Sequence, residues 1–102
     1  MVEKFYELKE KLEANMYSFG ITTYNILEKS EKFGTRIYQV NMLEVEIESD
    51  EIVIITDIDL MLVESNYILR EFMIESVENI VINDTIIEIF FINGNYVSIV
   101  AI

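Results

Sequence analysis

The stretch Leu43-Glu44-Val45-Glu46-Ile47-Glu48-Ser49-Asp50-Glu51-Ile52-Val53-Ile54-Ile55-Thr56 alternates apolar and acidic side chains up to a polar pair, then turns apolar. A period of two belongs to a strand, whose successive side chains point to opposite faces. Ser49-Asp50 supplies turn chemistry, so residues 37–62 read as a hairpin. A two-residue turn places Ile47 opposite Ile52, Glu46 opposite Val53, Val45 opposite Ile54 and Glu44 opposite Ile55. Carried outward, the same register sets Leu43 against Thr56, Met42 against Asp57 and Val40 against Asp59. One face then collects Leu43, Val45, Ile47, Ile52, Ile54, Ile58 and Leu60. The other carries Glu44, Glu46, Glu48, Glu51, Asp57 and Asp59, checkered with Val40, Met42, Val53 and Ile55. Opposed like charges destabilise a ladder, and in this register two acids meet directly only at the turn.

Working outward, residues 2–17 predict a helix, because Phe5, Leu8, Leu12 and Met16 recur at spacings of three and four. Glu7 and Lys11 form an i,i+4 pair on its exposed side, and Gly20 offers a stop. Ile21–Leu27 is rich in β-branched and aromatic residues and reads as a strand. A polar loop, Glu28–Gly34, joins it to Thr35–Glu48; the competing reading is a helix through Tyr24–Lys32. Beyond the hairpin, residues 65–78 fit either a helix capped by Ser65 or a strand Tyr67–Ile74, with the strand favoured by its β-rich neighbours. Strands follow at Ile80–Ile82, Thr85–Ile92 and Tyr96–Ile102. Asn93-Gly94 between apolar runs signals a tight hairpin, which as a two-residue turn would set Phe91 against Tyr96, Phe90 against Val97 and Glu88 against Ile99. Glu88 is the one charged side chain across Thr85–Ile102. Both faces of that hairpin are therefore apolar, and each asks for a cover.

These elements define an α+β fold in one domain, 1–102. An N-terminal amphipathic helix packs on a mostly antiparallel β-sheet, or partly closed barrel, of five to seven strands. The 102 residues are 52% hydrophobic, enough for a core, yet carry a formal charge of −12. Six bases and six acids balance through Arg36; beyond it Arg70 is the one base against thirteen acids. A folded acidic surface attracts a basic partner and repels nucleic-acid phosphates and anionic membranes.

The chain has no cysteine and no histidine. This excludes disulfides, thiolate ligands and triads built on His or Cys. Asp57-Ile58-Asp59 places two carboxylates at a spacing that suits a divalent cation, but no third ligand or phosphate clamp accompanies them. No Gly-rich phosphate loop is present. Asn83-Asp84-Thr85 matches a glycosylation sequon but reads as a turn, since no apolar leader opens the chain. The expectation is a cytoplasmic, non-enzymatic protein with no cofactor and no metal, and no direct contact with nucleic acid or membrane. It would act as an inhibitor or nucleic-acid mimic on a basic protein partner, in the physical manner of phage inhibitors, immunity proteins and antitoxins. The candidate contacts are Glu44, Glu46, Glu48, Asp50, Glu51, Asp57 and Asp59, with Glu64, Glu71, Glu75 and Glu78 as a second patch. The alternative is an assembly module that forms a homodimer through its apolar C-terminal hairpin.

Overall fold

The computed structural model describes residues 1–19, 23–60 and 63–102, with the side chains of residues 15–19, 42, 57–60 and 63–69 outside the description. Helix α1 spans Val2–Phe19. Seven strands follow: β1 Thr23–Ser30, β2 Gly34–Glu48, β3 Glu51–Leu60, β4 Val63–Met73, β5 Val77–Ile82, β6 Ile86–Phe91 and β7 Tyr96–Ala101, with a 3-10 turn at Ile74–Ser76 before β5. They form one sheet in the order β4-β3-β2-β1-β7-β6-β5, every described pair antiparallel. The α+β expectation holds, and the sheet stays open, with β4 and β5 as its edges.

The sheet is strongly coiled. On a flat sheet with strands about 4.8 Å apart, β4 and β6 would lie roughly 24 Å from one another. Yet the Phe72 and Phe91 rings meet edge to face with centroids 5.0 Å apart. The 3-10 turn bridges the gap: Ile74 N–H donates to Asp50 O, and Ile92 N–H donates to Ser76 O. Tyr24 and Ile26 of β1, Ile52 and Ile54 of β3, Ile87 and Ile89 of β6, and Val97 and Ile99 of β7 fill the concave side. These four strands bury alternate residues, as the pleat requires. Helix α1 lies over this face and sinks Phe5, Leu8 and Leu12 into it. The helical stripe is thus the predicted one, although the side chain of Met16 and the whole of Gly20 fall outside the described residues. Lys11 departs from its predicted pairing with Glu7: its ammonium donates to the Asn83 carbonyl and ties α1 to the end of β5. Glu7 instead sits 3.9 Å from Lys4.

The hairpin of residues 44–55 has the predicted pairing, from Glu48 opposite Glu51 to Glu44 opposite Ile55, but the expected Leu43–Thr56 pair is lost. Ser49 occupies the left-handed region at φ +52°, which lets two residues reverse the chain. Past Glu44 the expected register fails. Asn41, not Met42, opposes Asp57, because a bulge inserts one residue into β2 between Asn41 and Glu44. Thr56 Oγ1 donates to Asn41 O at 3.2 Å beside this bulge.

The C-terminal hairpin also differs from its expected register. Phe90 opposes Tyr96, Ile89 opposes Val97 and Glu88 opposes Ser98. The loop holds three residues, Ile92-Asn93-Gly94: Gly94 N–H donates to Phe91 O, Phe91 N–H donates to Asn95 O, and Gly94 takes φ +89°. This is a turn closed by a glycine bulge rather than a two-residue turn. The slip exchanges faces, so Phe91 enters the core. At the β1–β2 connection the polar segment is strand down to Ser30, which leaves Glu31–Phe33 as the loop and rules out the helical alternative. β4 is a strand, as favoured, and gives way to 3-10 turn at Ile74.

Candidate functional site

Strands β2 and β3 carry the acidic face. Glu44, Glu46, Glu48 and Asp50 are exposed and Glu51 is half-buried, while Leu43, Val45, Ile52 and Ile54 between them are buried. The alternation that creates the core side therefore also creates the charged side. β4 adds a member: Glu71 pairs with Val53, which pairs with Glu46, so one row crosses three strands. Glu51 then has Glu48 directly opposite and Glu71 on the diagonal. Shared hydrogen bonding with Glu71 and repulsion from it, followed by burial and the charge of Glu48, hold the Glu51 carboxyl above its ordinary range.

Among the described residues the ion pairs are the N-terminus with Glu3, Lys4 with Glu7 and Arg70 with Glu28. None involves the acidic face. Asp57 and Asp59 continue β3, their backbones opposite Asn66 and Glu64; the side chains of all three acids lie outside the described residues. The second patch divides. Glu71 joins the main face, Glu75 sits on the 3-10 turn, and Glu78 occupies a bulge in β5 at the far edge of the sheet. Among the described residues no three acids gather as a metal site. No helix there is long and apolar enough to cross a membrane.

Beside the face, a groove of about 300 Å³ runs between α1 and β2, lined by Lys9, Leu12, Glu13, Leu43, Glu44, Val45 and Glu46. Helix and strand thus set Glu13 on the same groove as Glu44 and Glu46, a placement that the spacing in sequence conceals.

Neutralising the repulsion at Glu51 should stabilise the fold. Because the carboxyl is harder to ionise in the folded chain than in the unfolded one, stability falls as pH rises through its folded pKa. Glu51→Gln is expected to raise the melting temperature at pH 7, with the gain closing as pH drops below the ordinary carboxylate range. A gain that persisted undiminished in acid would assign the effect to something other than charge.

A second polar group lies on the concave side. Glu28 is buried, on the same side of β1 as Tyr24 and Ile26. Tyr38 OH donates to its Oε1 at 2.5 Å, and the Arg70 guanidinium stands 3.3 Å from its Oε2. Arg70 belongs to β4 and Glu28 to β1, so the coil of the sheet is what lets them meet. Burial, then the hydrogen bond to Glu28, pushes the Tyr38 phenol above its ordinary range. Raised in the folded state, this phenol costs stability as pH climbs past the unfolded tyrosine value near 10. Tyr38→Phe should flatten that alkaline decline, measured by thermal melts at rising pH. A decline of unchanged steepness would count against Tyr38 as its source.

Three further bases sit away from the acidic face. Lys32 and Arg36 flank Phe33 at the β1–β2 turn, 5.2 and 4.7 Å from its ring centre, and Lys29 lies over Tyr96. Comparison with protein-family models, curated proteins and solved structures gives no match.

Proposed function

We propose that the protein is a non-enzymatic binding protein that engages a basic protein surface through Glu44, Glu46, Glu48, Asp50, Glu51, Asp57 and Asp59, joined by Glu71. It would act as an inhibitor of a partner whose basic surface normally meets nucleic acid. The observation that carries this reading is the absence, among the described residues, of any ion pair on the acidic face, while Glu51 is held above its ordinary range by its acidic neighbours. A fold that crowds carboxylates on three neighbouring strands gains when an external cation relieves them. Complementary charge chiefly speeds encounter and excludes wrong partners.

The test is capture from the source organism's extract at low and high salt, using the parent chain and a Glu44→Lys/Glu46→Lys/Glu48→Lys variant. A basic protein should bind the parent, leave in high salt and ignore the variant. With that protein purified, association should slow by about tenfold or more between low and high salt. Binding indifferent to both salt and charge reversal would sink the reading.

A homodimer remains the second reading, favoured by the outward side of the C-terminal strands. Ile86 there is 38% exposed, Phe90 and Val100 are half-exposed, and Ile37 on β2 is 73% exposed. A strict monomer by light scattering at high concentration would overturn it.

A further inference from the structure

We propose that a cleft at the seam of the coiled sheet binds a small neutral planar molecule bearing a carbonyl acceptor. The cleft encloses about 170 Å³ between Arg70 and Phe72 of β4, Ser76 of the 3-10 turn, Phe91 of β6, and Asn93 and Asn95 at the β6–β7 turn. It is separate from the acidic face except at Glu71, which touches both.

Arg70 supplies the reason for a ligand. A guanidinium presents five N–H donors, and among the described residues Glu28 at 3.3 Å is its one ion-pair partner. Its Nε is buried with no hydrogen-bond partner among the described residues. An unsatisfied buried donor on a charged group is costly, and native folds rarely tolerate one. The side chain is 28% exposed and lines the cleft, so in the proposed complex the carbonyl oxygen would meet the guanidinium there.

The other walls define the rest of the ligand. Asn93 Oδ1 already accepts from Asn95 N–H, and Ser76 Oγ already donates to Met73 O. Arg70 Nε–H is the donor left unsatisfied at the cleft, so the ligand should bring an acceptor. The Phe72 and Phe91 rings, 5.0 Å apart, give it an apolar wall suited to a flat body. The volume is below the usual range for drug-sized ligands and admits about one ring. Glu28 offsets the charge of Arg70, and Glu71 leaves the site net negative within a chain of −12. An anion is therefore disfavoured and a neutral amide or ring carbonyl is favoured.

The experiment is an NMR titration of ¹⁵N-labelled protein with benzamide. Arg36 and Arg70 are the two arginines, so Arg36→Lys assigns both Nε–Hε signals. The Arg70 signal should shift saturably at millimolar benzamide while that of Arg36 stays still. Benzoate, of the same shape but anionic, should bind about tenfold more weakly, and toluene, which has no acceptor, should leave the Arg70 signal in place. Asn95→Phe, which fills the cleft, should abolish the response; Ser76→Leu does the same should the first variant fail to fold. The triple lysine variant of the acidic face should keep the response, which separates this site from the partner surface. No saturable shift with benzamide, equal shifts with toluene, tighter binding of benzoate, or an undiminished response in the filled variant would each overturn the proposal.

Discussion

Arg70→Ala is expected to cost about 3–5 kcal/mol, because it strands the buried Glu28 carboxylate without its counter-charge. The Glu28 side chain is 7% exposed, so water does little to replace the guanidinium. Tyr38 remains as a donor at 2.5 Å, but one neutral hydroxyl does not balance a full charge. A domain of this size has only about 5–15 kcal/mol in total, so the variant should sit close to unfolding. Urea titration measures it as a lower midpoint at unchanged slope. The double variant Glu28→Leu/Arg70→Leu should recover most of the loss, since an apolar pair of similar volume is often no worse than a buried ion pair. If Arg70→Ala proved as mild as a surface substitution, or the double variant were the worse of the two, the pair would not be holding β4 to β1 as described.

Phe5→Ala is expected to cost a similar amount, about 3–5 kcal/mol. Phe5 is fully buried and its ring lies 5.8 Å from that of Phe72, which in turn meets Phe91. One aromatic chain thus joins the helix, β4 and β6, and removing its first member leaves a cavity where three elements converge. Tyr6, the next residue along the helix, is 52% exposed. Tyr6→Ala should change stability by no more than about 0.5 kcal/mol. A double-mutant cycle between Phe5 and Phe72 should return a coupling of about 0.5–1.5 kcal/mol. Additive losses would mean that the rings do not support one another.

The acidic hairpin was legible in the sequence because its two faces differ in chemistry. Glutamate against isoleucine fixes both the period and the register, and a one-residue slip would bury charge. The C-terminal hairpin lacked that contrast. With Phe90 and Phe91 adjacent, either could face the core, so the pattern revealed a hairpin and left its register to the turn geometry at Gly94. Glu28 escaped notice for a related reason. It continues the buried alternation of Tyr24 and Ile26, but a carboxylate ordinarily marks the end of a core strand. Arg70, far along the chain, and the Tyr38 hydroxyl together make it tolerable there. Glu71 joined the acidic face through a register that the ambiguous pattern of residues 65–78 could not supply. The β1–β7 pairing is likewise non-local and leaves no trace in local periodicity.

That pairing has a consequence for how the chain assembles. In the order β4-β3-β2-β1-β7-β6-β5, every neighbouring pair except β1–β7 is consecutive in sequence. The molecule is two meanders, one before the 3-10 turn and one after it, stitched along a single ladder from Tyr24 opposite Ala101 to Lys29 opposite Tyr96. Each meander can zip by local hairpin closure, whereas the joining ladder must bring distant segments together and bears the slow loop closure. A break at the 3-10 turn would sever no ladder, so the two halves, made as separate peptides, retain every strand partner needed to find each other again.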